Sequence, residues 1–137
     1  MMSKAEQAVA LKSNGYNCAQ SVACVFADET GASKDFLFKA TEGFGGGAGT
    51  MEGICGALSA AIMIAGLKNS SANLDKPDSK ASTMALSRQL MTEFKRDVGA
   101  LYCREIKGVG TGKVLCACPD CVRNGVRLTE KIVLSEA

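Results

Sequence analysis

Histidine is absent from this chain of 137 residues, and so is tryptophan. Without histidine there is no imidazole general base, no Ser-His or Cys-His dyad and no histidine axial ligand for a haem. Any metal site has to be built from thiolates, carboxylates or backbone oxygens. Aromatic residues make up only 5% of the chain, so a base-stacking platform for nucleic acid is not expected. Charge of one sign is lacking too. Sixteen Lys and Arg against 14 Asp and Glu give a net charge of +2, with both signs interspersed, and that leaves no electrostatic footprint for nucleic acid. The apolar stretch 53–67 is too short to span a bilayer. The first residues, MMSKAEQAVALKSNGYN, contain no apolar signal core and no small-residue cleavage site. The expectation is a single-domain protein of a reducing, cytoplasmic compartment, long enough to bury roughly two-thirds of its unfolded surface without a disulfide staple.

Cysteine is what the chain has instead. There are seven, an odd number that excludes full pairing within one chain. In a reducing compartment, clustered cysteines are more often catalytic or metal-binding than structural. Five of them fall where the sequence predicts helix starts. Cys18 follows Asn17, which forms a capping-box pattern with Gln20. Cys55 follows the run Gly43-Phe44-Gly45-Gly46-Gly47-Ala48-Gly49. Cys103 opens the short segment to Gly108, and Cys118 and Cys121 flank Pro119, a favoured first helical residue. A thiol at a helix N-terminus faces unpaired N–H groups and the positive end of the dipole, and both favour thiolate. Thiolate is the form that attacks disulfides and binds soft metals.

Capping signals and 3.6-residue periodicity place the remaining elements. A helix follows Ser3 to about Ser13; one runs from Asn17 to Gly31; one follows Ser33 to about Glu42. Residues 53–67 are apolar on all sides and rich in small residues, which reads as a buried central helix. Residues 68–82 are a polar linker. An amphipathic helix to about Val98 carries Met84, Met91, Phe94 and Val98 on its core stripe. The last helix, after Pro119, turns Val122, Val126, Thr129 and Val133 inward. No segment alternates with period two. The fold class expected is all-α, a single-domain bundle of five to six helices around the central helix. Cys24, inside the second helix among Val22, Val25 and Phe26, is expected to be a buried small hydrophobe.

The glycine run permits positive φ angles and close backbone approach, and Gly45, Gly46 and Gly47 are candidate cofactor-binding positions. No Gly-Lys-Ser/Thr follows, so it is not a P-loop, and no strand precedes it as a dinucleotide fingerprint requires. Glu42 and Glu52, on either side, read as solvated loop carboxylates. In Cys118-x-x-Cys121 the first sulfur can attack and the second resolve a mixed disulfide. The same spacing supplies half of many metal sites, and Cys116 adds a third sulfur.

These residues carry a resemblance. Asn17-Cys18-Ala19-Gln20-Ser21, Phe44-Gly45-Gly46-Gly47 with Cys55-Gly56-Ala57, Cys103-Arg104-Glu105-Ile106 and a cysteine shortly before Val122 together resemble the redox-active C-GCAxxG-C-C family of small bacterial proteins. The likeness runs from about Ala8 into the last helix. Ala60 stands where the motif has its final glycine. The resemblance implies a set of four cysteines, Cys18, Cys55, Cys103 and Cys118 (or Cys121). A similar domain in split-Soret cytochromes is associated with an iron–sulfur centre. The first functional expectation is therefore a redox-active thiolate cluster. In it Cys18, Cys55, Cys103 and Cys118 hold an iron–sulfur or other soft-metal centre for electron transfer or redox sensing. The alternatives are a metal-free thiol–disulfide oxidoreductase in which Cys118 or Cys55 attacks and a neighbouring cysteine resolves, with reducing equivalents from a partner reductase, and a non-catalytic helical module binding a small ligand over the glycine loop. The expected partner is a redox protein or reductase. No nucleic acid or membrane partner is expected, and a homodimer is left open.

Overall fold

The computed structural model describes residues 2–135. Eight α-helices make up the described chain, and the fold is all-α. They are α1 (Lys4–Ser13), α2 (Cys18–Cys24), α3 (Ala27–Thr30), α4 (Lys34–Thr41), α5 (Gly56–Asn69), α6 (Lys80–Val98), α7 (Cys103–Lys107) and α8 (Cys118–Leu128). Short turns of tighter or wider helix occupy Glu42–Phe44, Gly47–Met51 and Thr129–Val133. Three of the expected caps are formed by side chains. Ser3 Oγ accepts from Glu6 N at 3.1 Å, Asn17 Oδ1 from Gln20 N at 2.8 Å and Ser33 Oγ from Phe36 N at 3.0 Å. At Asn17 the capping box is complete, because Gln20 Oε1 accepts from Asn17 N at 3.0 Å. Glu6 pairs instead with Arg123, Nε to Oε2 at 2.9 Å, which ties α1 to α8.

Helix α5 is the centre of the bundle. Ala57, Leu58, Ala60, Ala61, Ile64 and Ala65 are all buried, and α2, α6 and α8 pack on it. Small residues let those helices come close. At Gly125 of α8 a Cβ would lie 3.0 Å from the carbonyl oxygen of Ala57 and 3.2 Å from Val22 Cγ2. Any side chain there would push α8 off both α5 and α2. Phe26, Leu37, Leu58, Ile64, Leu90, Phe94, Val122 and Val126 fill the interior and are fully buried.

The structure departs from the sequence expectations in three places. The helix expected from Asn17 to Gly31 breaks after Cys24, and Val25 and Phe26 turn the chain into the single-turn α3. Cys24 is therefore the last residue of α2, but it is buried as expected. The central helix begins at Gly56, with Cys55 at its cap position. Met84 is 55% exposed although Phe94 and Val98, on the same stripe, are buried. The first turns of α6 flank a shallow groove formed with residues 66–80, and the core face of α6 is engaged only from Leu86 onward.

Replacing Cys24 removes one buried sulfur in contact with Lys34 O at 3.8 Å. We expect Cys24→Ala to cost on the order of 1 kcal/mol. The oxidation behaviour of the other thiols should not change, as read by urea unfolding and thiol titration on the same preparation.

Candidate redox site

One arrangement brings the helix starts together. The segments before α5 and α7 form an isolated antiparallel bridge at Ile54 and Tyr102. Cys55 N–H donates to Leu101 O at 2.8 Å, and Cys103 N–H donates to Gly53 O at 2.9 Å. Two cysteine-bearing helix starts are thus clamped side by side. Helix α2 is fixed to them from the other side. Asn17 Nδ2 donates to Glu42 O at 2.9 Å, and Gln20 Nε2 donates to Phe38 O and to Glu42 Oε1, both at 3.2 Å. The residues that cap α2 therefore also hold it against the end of α4 and the glycine loop.

Close backbone approach makes room for the sulfurs. A Cβ at Gly56 would fall 2.5 Å from Cys18 Sγ, and one at Gly47 would fall 2.6 Å from Cys103 Cβ. Gly46 and Gly47 adopt left-handed angles, with φ near 62° at both. Helix α8 completes the site. Cys121 lies one turn before Gly125, so the close packing of Gly125 on Ala57 carries Cys121 to the start of α5.

The result is a cavity of about 170 Å3. Cys18, Cys55, Cys103, Cys118 and Cys121 all line it, together with Lys12, Asn17, Gly46, Met51, Ile106 and Lys107. The five candidate thiols thus stand around one space, with Cys18 and Cys118 half-buried and Cys55, Cys103 and Cys121 buried. Of the three candidate glycines, Gly46 faces the cavity, while Gly45 and Gly47 are packed against Asn17 and Cys103. Cys116 does not line the cavity but lies beside Cys121, whose Sγ is 3.8 Å from Cys116 O. Glu42 and Glu52 are not part of the lining. Glu52 pairs at the surface with Arg104, Oε1 to Nη1 at 2.7 Å.

The electrostatics distinguish the sulfurs. Cys55 and Cys121 stand together on the cavity wall. The interaction with the Cys121 thiol is the main reason the Cys55 pKa falls from 9.0 to about 7. Burial opposes the fall, while the N–H groups of Ala57 and Leu58 and the charge of Lys107 assist it. The same interaction, and then burial, drives Cys121 strongly upward. Cys55 is the thiolate of the pair and Cys121 keeps the proton. At Cys18 burial raises the pKa despite N–H donors at Gly46 and Ala19, and at Cys103 burial also raises it. The expectation that a helix start favours thiolate is thus reversed at Cys18 and Cys103, where desolvation outweighs the dipole.

Lys107 was not singled out in the sequence, although its i+4 spacing from Cys103 places both on one face of α7. Burial works against its charge, but its hydrogen bond to Cys118 Sγ and the surrounding sulfurs outweigh that and raise its pKa. An ammonium group is therefore held inside the sulfur cluster.

A match over most of the chain accompanies this geometry. The family model described as "Putative redox-active protein (C_GCAxxG_C_C)" covers residues 16–132. The chain belongs to that family. No curated protein and no solved structure matches it. The matched stretch contains Cys18, Cys55, Cys103, Cys118 and Cys121, and the structure places all five around the cavity.

The donor set of the site suits a soft metal in kind, being all thiol and free of imidazole. Among the described residues, however, no group of three or more His, Cys, Asp or Glu side chains is arranged to hold a metal ion. Among the described residues, too, no helix is long and apolar enough to cross a membrane.

The lowered Cys55 pKa has a measurable consequence. Alkylation of Cys55 by iodoacetamide should rise with pH around a midpoint near 7. In Cys121→Ala the neighbouring thiol is gone, and the midpoint should move up toward the ordinary thiol range. Mass mapping of Cys55 labelling against pH reads both. A midpoint unmoved by the substitution would show that Cys121 does not set the Cys55 thiolate.

Proposed function

We propose that this protein is a thiol–disulfide redox protein whose working pair is Cys55 and Cys121. The observation that carries this reading is that Cys55 and Cys121 stand together on the wall of a cavity lined by three further thiols, with Cys55 the more readily ionised of the two. A thiolate with a pKa near ambient pH is close to the optimum for attack on a disulfide, being both populated and nucleophilic. A protonated thiol in contact with it is placed to resolve the mixed disulfide. Lys107 offsets the negative charge that gathers as thiolates form. The electrons would come from and go to a partner protein or small molecule carrying a disulfide or dithiol.

A second reading has its own observation in favour. Five cysteines line one space, and nearby backbone N–H groups act to lower the pKa of two of them, Gly46 and Ala19 at Cys18 and Ala57 and Leu58 at Cys55. Such N–H groups tune thiolate-held clusters. On this reading Cys18, Cys55, Cys103 and Cys118 or Cys121 hold a soft metal or an iron–sulfur centre, which supplies one-electron transfer. Lys107 would have to release Cys118 to make room.

Purification under strictly anaerobic conditions separates the two. The dithiol reading expects colourless protein with less than one metal atom per chain and a two-electron oxidation by mild disulfide reagents. Visible absorbance with stoichiometric iron, or bound zinc, would favour the second reading.

A further inference from the structure

The buried pair has a route to the surface that does not pass through the cavity. Cys55 and Cys121 are 6% and 2% exposed, which is little access for a protein-sized disulfide. Cys116 is half-buried and ends the exposed stretch 109–115. It stands outside the cavity, yet Cys121 touches it. Cys121 Sγ lies 3.8 Å from Cys116 O, and the two side chains also meet. Cys121 therefore sits between a buried cysteine on one side and a half-buried one on the other. Three thiols in a chain of contacts, graded from interior to surface, are what a disulfide relay requires.

We propose that Cys116 is the exchange thiol of this protein, passing a disulfide between an external partner and the Cys55–Cys121 pair. The inference rests on the dithiol reading above. In the oxidising direction the partner is a protein or small-molecule disulfide, RSSR. The Cys116 sulfur attacks one sulfur of RSSR, forming Cys116–S–S–R and releasing RSH. Cys121 then attacks the Cys116 sulfur, forming Cys116–Cys121 and releasing the second RSH. The Cys121 proton leaves with that RSH. Finally Cys55 attacks Cys121 Sγ, forming Cys55–Cys121, and the leaving Cys116 sulfur takes up a proton. Two thiols have been oxidised by two electrons, one external disulfide has become two thiols, and Cys116 is regenerated. Run backwards, the same steps deliver two electrons from two external RSH thiols to the buried Cys55–Cys121 disulfide and release RSSR. The external disulfide does not enter the cavity, on whose wall the final Cys55–Cys121 bond forms.

The test is a timed oxidation with glutathione disulfide, quenched in acid and mapped by peptide mass spectrometry. In the unsubstituted chain the Cys55–Cys121 disulfide accumulates. In Cys116→Ser it should form at least on the order of tenfold more slowly, because the external disulfide must reach a buried sulfur directly. The same final disulfide should be reached, and Cys24→Ala should oxidise at the unsubstituted rate. In Cys55→Ser the relay has no terminus, and the Cys116–Cys121 disulfide should be trapped. An unchanged rate in Cys116→Ser, or no Cys116–Cys121 bond in Cys55→Ser, overturns the relay while leaving the dithiol reading standing. If the unsubstituted chain forms no Cys55–Cys121 disulfide at all, it is the dithiol reading that fails.

Discussion

Cys55→Ser should abolish the disulfide between cavity thiols. In a redox titration against the reduced and oxidised forms of dithiothreitol, the unsubstituted chain is expected to pass from five cavity thiols to three plus one disulfide. The serine variant should form no bond between two cavity sulfurs, the Cys116–Cys121 bond being the one disulfide left to it. The expected effect is this large because the other cavity sulfurs do not replace Cys55. Cys18 and Cys103 are held as thiols by burial, and Cys121 is pushed strongly toward the protonated form. At Cys55 alone the influence of a neighbouring thiol and of N–H groups at its own helix start lowers the pKa against burial. Serine at 55 keeps the helix cap and nearly the same volume, so the fold should survive and the loss can be read as chemistry. Cys121→Ser should remove the same disulfide but leave Cys55 reactive toward alkylating agents, with its labelling midpoint raised.

Gly56→Ala should destabilise the protein, whereas Gly66→Ala in the same helix should not. At Gly56 the new Cβ would lie 2.5 Å from Cys18 Sγ, 3.0 Å from Phe44 O and 3.3 Å from Ala19 N. Two of those three neighbours are backbone, so α2 and the glycine loop have to move together. Overpacking of this kind costs about 1–3 kcal/mol, against less than about 1 kcal/mol gained from helix propensity. At Gly66 no atom lies within 4 Å of the added Cβ, and only the propensity gain of up to about 1 kcal/mol remains. The two substitutions are chemically identical and ten positions apart, so opposite signs in thermal unfolding would isolate the close approach of α2 to α5. Gly56→Ala should also displace Cys18 from the cavity and raise its labelling rate in the native state. Equal melting temperatures for the two variants would mean that this approach is not tight.

How much of this was legible in the sequence depends on whether the signal is local. Caps at Ser3, Asn17 and Ser33 are written in adjacent residues, as is Pro119 at the start of α8, and the structure has helices beginning there. The same local logic gives the helix starts that bear Cys18, Cys103 and Cys118. The buried, all-round apolar α5 needs no partner to be recognised. What escaped is what depends on contacts between distant residues. The Ile54–Tyr102 bridge joins segments too short for any period-two pattern, yet it clamps Cys55 beside Cys103. Gly125, inside a helix, reads as a weak helix former until Ala57 is seen against it. Lys107 looks like one more surface lysine until α7 turns it toward Cys118. The break of the second helix at Val25 and Phe26 follows from the burial of Phe26, not from any breaker residue. Met84 shows the reverse case, a periodic apolar residue left exposed because the start of α6 extends past the core. The sign of the thiol shifts at Cys18 and Cys103 was hidden for the same reason, since desolvation is a property of the packed molecule.

The central claim is that sulfurs from separate helix starts meet as one redox site in which Cys55 and Cys121 are partners. Its most direct test is a non-reducing peptide map of the metal-free protein after stoichiometric oxidation with diamide. The account predicts one dominant intramolecular disulfide, between the peptide that holds Cys55 and the peptide that holds Cys121, with Cys24 recovered as free thiol. A map dominated by intermolecular bonds, or by any pair that excludes both Cys55 and Cys121, would contradict it.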